Sequence, residues 1–96
     1  MDIEEIQRAL SEGHFDLTDH ALDALQDDGL YQEDIRLAAA SFVILDVEDG
    51  KRGTRCLIEG RCGRETTIRL VVAWFDAELF VITAYVRRHK GKDRRG

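Results

Sequence analysis

Thr66-Thr67-Ile68-Arg69-Leu70-Val71-Val72-Ala73-Trp74-Phe75-Asp76-Ala77-Glu78-Leu79-Phe80-Val81-Ile82-Thr83-Ala84-Tyr85-Val86-Arg87 is the stretch that decides how this chain folds. Two runs rich in β-branched and aromatic residues flank the short polar link Asp76-Ala77-Glu78. Such runs favour strands, and so short a link makes a hairpin. Thr66–Phe75 and Leu79–Arg87 must then be antiparallel, because parallel pairing needs a crossover of about a dozen residues.

Upstream, Thr54–Gly60 reads as a further strand, followed by a glycine-bearing turn over Arg61–Glu65. Phe42–Glu48 reads as another, joined to it by the loop Asp49-Gly50-Lys51-Arg52-Gly53. Before Phe42 the apolar period changes. Ile3, Ile6 and Leu10 fall on one face of a helix over about 3–12, with Asp2 as its cap and Gly13 as its stop. His14–Leu17 alternates and could be extended. Thr18 is placed to cap a second helix carrying Ala21, Leu22 and Leu25, closed by Gly29. Gln32–Ala40 makes a third, with Glu33 and Asp34 in its positive first turn. The expected fold is α+β: two to three N-terminal helices packed on one face of a four-stranded, mainly antiparallel sheet. Residues 1–89 form a single domain, and 90–96 a basic, disordered tail.

Ninety-six residues, 44% apolar and 34% charged, suit one core that needs no disulfide staples. The longest apolar run, Leu70–Phe75, is far short of the ~20 residues of a membrane span. The acidic N-terminus lacks the basic start of a signal peptide, so a cytoplasmic location with no membrane partner is expected. Cys56 and Cys62 do not form the framework of a secreted domain and are expected as free residues. Their C-x5-C spacing fits no common zinc pattern, so no metal is expected. No phosphate loop, nucleophile elbow or HExxH is present, and no cofactor is expected.

Charge is divided unevenly. Residues 1–50 hold fourteen Asp/Glu against Arg8 and Arg36, a balance of −12, whereas residues 51–96 balance at +7. The asymmetry fits either a polyanion or acidic partner at one end, or acidic helices lying beside a basic sheet.

Strand parity carries the functional expectation. Ile68, Leu70, Val72 and Trp74 share one face, as do Phe80, Ile82, Ala84 and Val86; Cys56 and Ile58 oppose Arg55, Leu57 and Glu59. Giving the core the more apolar set of each strand puts Arg55, Arg69, Thr83, Tyr85 and Arg87 on the open face. Guanidiniums grip phosphates with paired donors, and a phenol can stack on a base or give up a proton. An ordinary solvated sheet face, with arginine stems covering apolar neighbours, gives the same alternation. His20, in the first turn of the second helix, could exchange a proton or simply anchor the helix start. His14 and His89 are expected at the surface.

The run Phe15-Asp16-Leu17-Thr18-Asp19-His20-Ala21-Leu22-Asp23-Ala24-Leu25, then Asp28-Gly29-Leu30, Glu33-Asp34-Ile35, Arg55-Cys56-Leu57-Ile58-Glu59-Gly60, Ile68-Arg69-Leu70-Val71-Val72 and Val81-Ile82-Thr83-Ala84-Tyr85 resembles the bacterial family called domain of unknown function 4258. The Thr-x-His-Ala helix start and the closing Ile-Thr-Ala-Tyr strand are its most specific pieces. In architecture that family looks similar to the RelE, BrnT and MqsR type toxins, which cut messenger RNA and are commonly encoded beside an antitoxin. The resemblance implies a RelE-like fold and a metal-independent endoribonuclease. His20, Arg69 and Tyr85 are the catalytic candidates, and Arg55, Arg87 and Arg88 the RNA-binding ones. RNA or a ribosome and an antitoxin are the partners it implies, and DNA is not expected. The alternative is a non-catalytic module whose acidic helices or basic sheet dock a basic or antitoxin-like protein.

Overall fold

A computed structural model describes residues 3–51, 53–63 and 65–87. Its elements run α1 (Ile3–Glu12), β1 (Asp16–Leu17), α2 (Asp19–Asp27), α3 (Gln32–Ala38), a 3-10 turn (Ala39–Ser41), β2 (Val43–Gly50), β3 (Gly53–Arg61), β4 (Thr67–Phe75) and β5 (Glu78–Arg87). The fold is α+β, with three α-helices and a five-stranded mixed sheet among the described residues. Residues 90–96, Arg88, His89 and the Asp2 cap lie outside them. Among the described residues, no helix is long and apolar enough to cross a membrane.

The expected four strands become five. The sheet order is β1-β5-β4-β3-β2, and β1 pairs parallel to β5 through Asp16↔Phe80 and Leu17↔Val81. A two-residue strand is too short to show a period, and its partner lies more than sixty residues downstream. The other three pairings are antiparallel, as expected.

Glycine in the left-handed conformation stops α1 and α2, at Gly13 (φ 80°) and Gly29 (φ 68°). After α2, the Leu30 N–H reaches the Leu25 carbonyl at 2.8 Å, closing the orphan end of the helix. Thr18 caps α2: its hydroxyl accepts the Ala21 N–H at 3.0 Å and donates to the Ile82 carbonyl at 3.0 Å. At the other end Asp28 accepts the Val86 N–H at 2.8 Å. Together with β1, these two side chains fasten α2 along the outer edge of β5.

The core is built from Ile6 and Leu10 of α1, Ala21 and Leu25 of α2, Ile35 and Ala38 of α3, and one face of β3, β4 and β5. That face carries Cys56, Ile58, Ile68, Leu70 and Val72, as parity predicts. Strand β5 departs from the prediction. Leu79 (3% exposed) and Val81 (0%) are buried, whereas Phe80 and Ile82 turn away from the core; beyond them Ala84 is buried and Val86 packs against the core. The register shows why: Val72 pairs with Val81 and Val71 with Thr83, so Ile82 is an extra residue on β5. A bulge shifts every following side chain to the opposite face.

Gly60 lets β3 pass beneath α3. A Cβ there would lie 2.3 Å from the Ala38 carbonyl oxygen.

Candidate functional site

The face of the sheet turned away from the helices is organised in rows that cross the strands. One row reads Val43–Glu59–Arg69–Tyr85, from β2 to β5. The row beyond it reads Arg61–Thr67–Arg87. In the opposite direction lie Asp46–Leu57–Val71–Thr83, then Glu48–Arg55–Ala73–Phe80. Arg61, Arg69 and Arg87 therefore share one end of the face, held on the three inner-to-outer strands β3, β4 and β5.

Glu59 sits in the middle of these cations. Its Oε1 is 3.0 Å from Arg69 Nε and 3.8 Å from Arg87 Nε. Tyr85 stands directly across from Arg69 on β5, and the proximity of Glu59 and then of Tyr85 raises the guanidinium pKa still further. Carboxylate, guanidinium and phenol thus stand side by side on three adjacent strands. The Glu59 side chain is 20% exposed and that of Arg69 30%, so the row is open to a ligand while packing restrains it. Adjacent strands are about 4.8 Å apart, which keeps the three side chains within reach of one small ligand group.

The predicted site residues divide accordingly. Arg69, Tyr85 and Arg87 come together. Arg55 lies on β3 four residues before Glu59, roughly 13 Å away by strand rise, opposite Glu48 on β2. There it borders a groove of about 710 Å³ floored by Ala73, Phe75, Phe80 and Ile82. His20 is exposed on the first turn of α2, which packs on the helix side of the sheet, and does not join the row. Arg88 lies outside the described residues. Both cysteines are free, and burial pushes each thiol above its ordinary range, with Asp49 adding to the effect at Cys56 and Asp34 at Cys62. Such thiols are poor nucleophiles at neutral pH.

Glu59 is the residue that reading the sequence passed over. The signal was present: parity sets it on the same side of β3 as Arg55. Counting cations alone left out the carboxylate that holds two of them.

The acidic helices pack against the other side of the sheet. Arg69 on β4 and Arg87 on β5 both pair with Glu59 of β3, a carboxylate of the sheet itself. The acidic half is itself divided: its helices lie on the core side of the sheet, while Glu48 on β2 pairs across from Arg55 of the basic half.

A family model described as Domain of unknown function (DUF4258) matches residues 17–86. That span runs from the end of β1 to the penultimate residue of β5 and contains Glu59, Arg69 and Tyr85. No curated protein and no solved structure matches the chain.

Proposed function

The chain belongs to the DUF4258 family, and from that premise we propose that it is a metal-independent endoribonuclease with an architecture of the RelE, BrnT and MqsR toxin type. The observation that carries the reading is the Glu59–Arg69–Tyr85 row, with Arg87 bound to the same carboxylate.

In this reading single-stranded RNA lies across the open face with a phosphate at Arg69 and Arg87. Glu59 removes the proton of the ribose 2′-OH, whose oxygen attacks the adjacent phosphorus in line. Arg69 and Arg87 stabilise the added negative charge of the phosphorane. Tyr85 gives its proton to the departing 5′-oxygen and regains one from water, to which Glu59 releases the proton it took. The products are a 2′,3′-cyclic phosphate and a 5′-hydroxyl, with atoms and charge balanced and no cofactor required. Glu59 takes over the proton-accepting role expected of His20, because it is the group in contact with the cations. Arg55 and the apolar groove beside it would hold a neighbouring base. Toxins of this type act on free or ribosome-bound messenger RNA and are held in check by an antitoxin, and the same partners are proposed here.

The test is incubation of purified protein with messenger RNA, with and without ribosomes. Cleavage is expected, falling about 10²–10³-fold in Arg69→Ala, as on removal of a charge-stabilising donor. RNA left intact under both conditions would overturn the proposal. One observation favours a second reading, a non-catalytic module: Glu59 is already hydrogen-bonded to Arg69 and within ion-pair range of Arg87, as in a purely structural ion network. Intact RNA together with a protein partner recovered through the acidic helices would support that reading.

A further inference from the structure

The two edges of the sheet are finished differently. The outer edge of β5 is sealed by β1, by the Thr18 hydroxyl and by the Asp28 carboxylate. Strand β2 ends the sheet on the other side, and seven of its eight residues are exposed. Val43, Leu45 and Val47 are 54%, 43% and 51% exposed. An exposed edge strand with large aliphatic side chains is a template for another strand.

Its charges restrict what can pair there. Asp46, Glu48 and Asp49 are the charged residues of β2, and all three are acidic. A second copy would set carboxylates against carboxylates along an antiparallel pair, which is destabilising. Arg55, across β3 from Glu48, offsets one of them. The bulge between Ile44 and Asp46 and the Val47 N–H held at 3.0 Å by Asp46 Oδ1 blunt the edge further against its own kind. Against a cationic strand the same acids are attractive, and a partner carbonyl can take over the Val47 N–H when Asp46 turns to a partner cation. One set of residues thus repels the wrong partner and attracts the right one.

We propose that β2 is a docking edge for an extended segment of another protein in which Lys or Arg alternates with apolar residues, adding a sixth strand to the sheet. The exposed aliphatic residues supply the apolar contact, and the acidic row selects the charge. The proposal does not rest on RNA cleavage, although Glu48 and Asp49 also border the groove beside Arg55.

The test is an amide-resolved NMR titration of the full chain with an eight-residue peptide alternating lysine and valine, beside one alternating glutamate and valine. Shifts and slowed hydrogen exchange are expected at residues 43–49 with the basic peptide, at least tenfold tighter than with the acidic one and weaker at high salt. An Asp46→Lys, Glu48→Lys double variant should reverse the preference by at least tenfold. Equal binding of the two peptides, or perturbation confined to other elements, would overturn the proposal. So would protection of 43–49 that rises with protein concentration in the absence of peptide. The wild-type map decides the matter even where the double variant fails to fold.

Discussion

Glu59 accepts a hydrogen bond from Arg69 at 3.0 Å and lies 3.8 Å from Arg87, and it restrains the Arg69 side chain, which would otherwise sweep through solvent. A guanidinium held in place loses less freedom when a phosphate arrives, which is the benefit of preorganisation. Thr18 works in the same manner on the opposite side of the sheet, since one hydroxyl both caps α2 and reaches β5. The sequence identified Thr18 as a cap but not its second contact, because the bulge that presents the Ile82 carbonyl leaves no local mark. Cys56 gives a pH test. Its folded thiol is pushed above the ordinary value of 9.0, first by burial and then by Asp49. The unfolded thiol ionises first as pH rises, so the associated stability is complete below about pH 9 and is lost above it. Urea denaturation between pH 7 and 10.5 should show a shallower alkaline decline in Cys56→Ala than in the parent chain.

At the scale of elements, the β4–β5 hairpin turns through Asp76 (φ 54°) and Ala77 (φ 65°), both left-handed. Two such residues match the twist of the strands, and glycine is the favoured choice at the second. Alanine there is strained by roughly 1–2 kcal/mol, partly offset by its smaller loss of backbone entropy. Ala77→Gly is therefore expected to stabilise the fold by about 1 kcal/mol, read from the urea midpoint at constant slope. The hairpin was legible because two long apolar runs enclose a short polar link. Helix boundaries were legible where Gly13 and Gly29 stop a period. The β5 bulge was not, because Leu79-Phe80-Val81-Ile82 is apolar on both faces and offers parity nothing to choose between. Arg69, Tyr85 and Arg87 were placed on the open face all the same, since they lie on β4 or beyond the bulge on β5. The strand β1 was hidden for a different reason: its stability comes from a partner distant in sequence rather than from its own two residues.

For the whole molecule, the sheet separates two electrostatic surfaces. Acidic helices occupy one side, and the other carries Arg61, Arg69 and Arg87 at one end, with Asp46, Glu48 and Arg55 toward the other. A net charge of −5 thus says little about the face that would meet RNA. Binding there should weaken with salt in proportion to the phosphates neutralised, with a slope near −0.7 per contact for a single strand. Arg87→Ala is expected to reduce that slope by about one contact and to weaken binding similarly for all sequences. Filter binding across a salt series reads both.

The most direct test of the Glu59–Arg69–Tyr85 row measures RNA binding and RNA cleavage in parallel for the parent chain and Glu59→Gln, with a chelator present. Removing the carboxylate takes a negative charge from a cationic patch, so binding is expected to hold or tighten. Cleavage should fall by about 10²–10⁴-fold, as on loss of a general base, and the parent's products should end in a 2′,3′-cyclic phosphate. Cleavage by Glu59→Gln at the parent rate, or a parent chain that binds RNA and leaves it whole, would contradict the account.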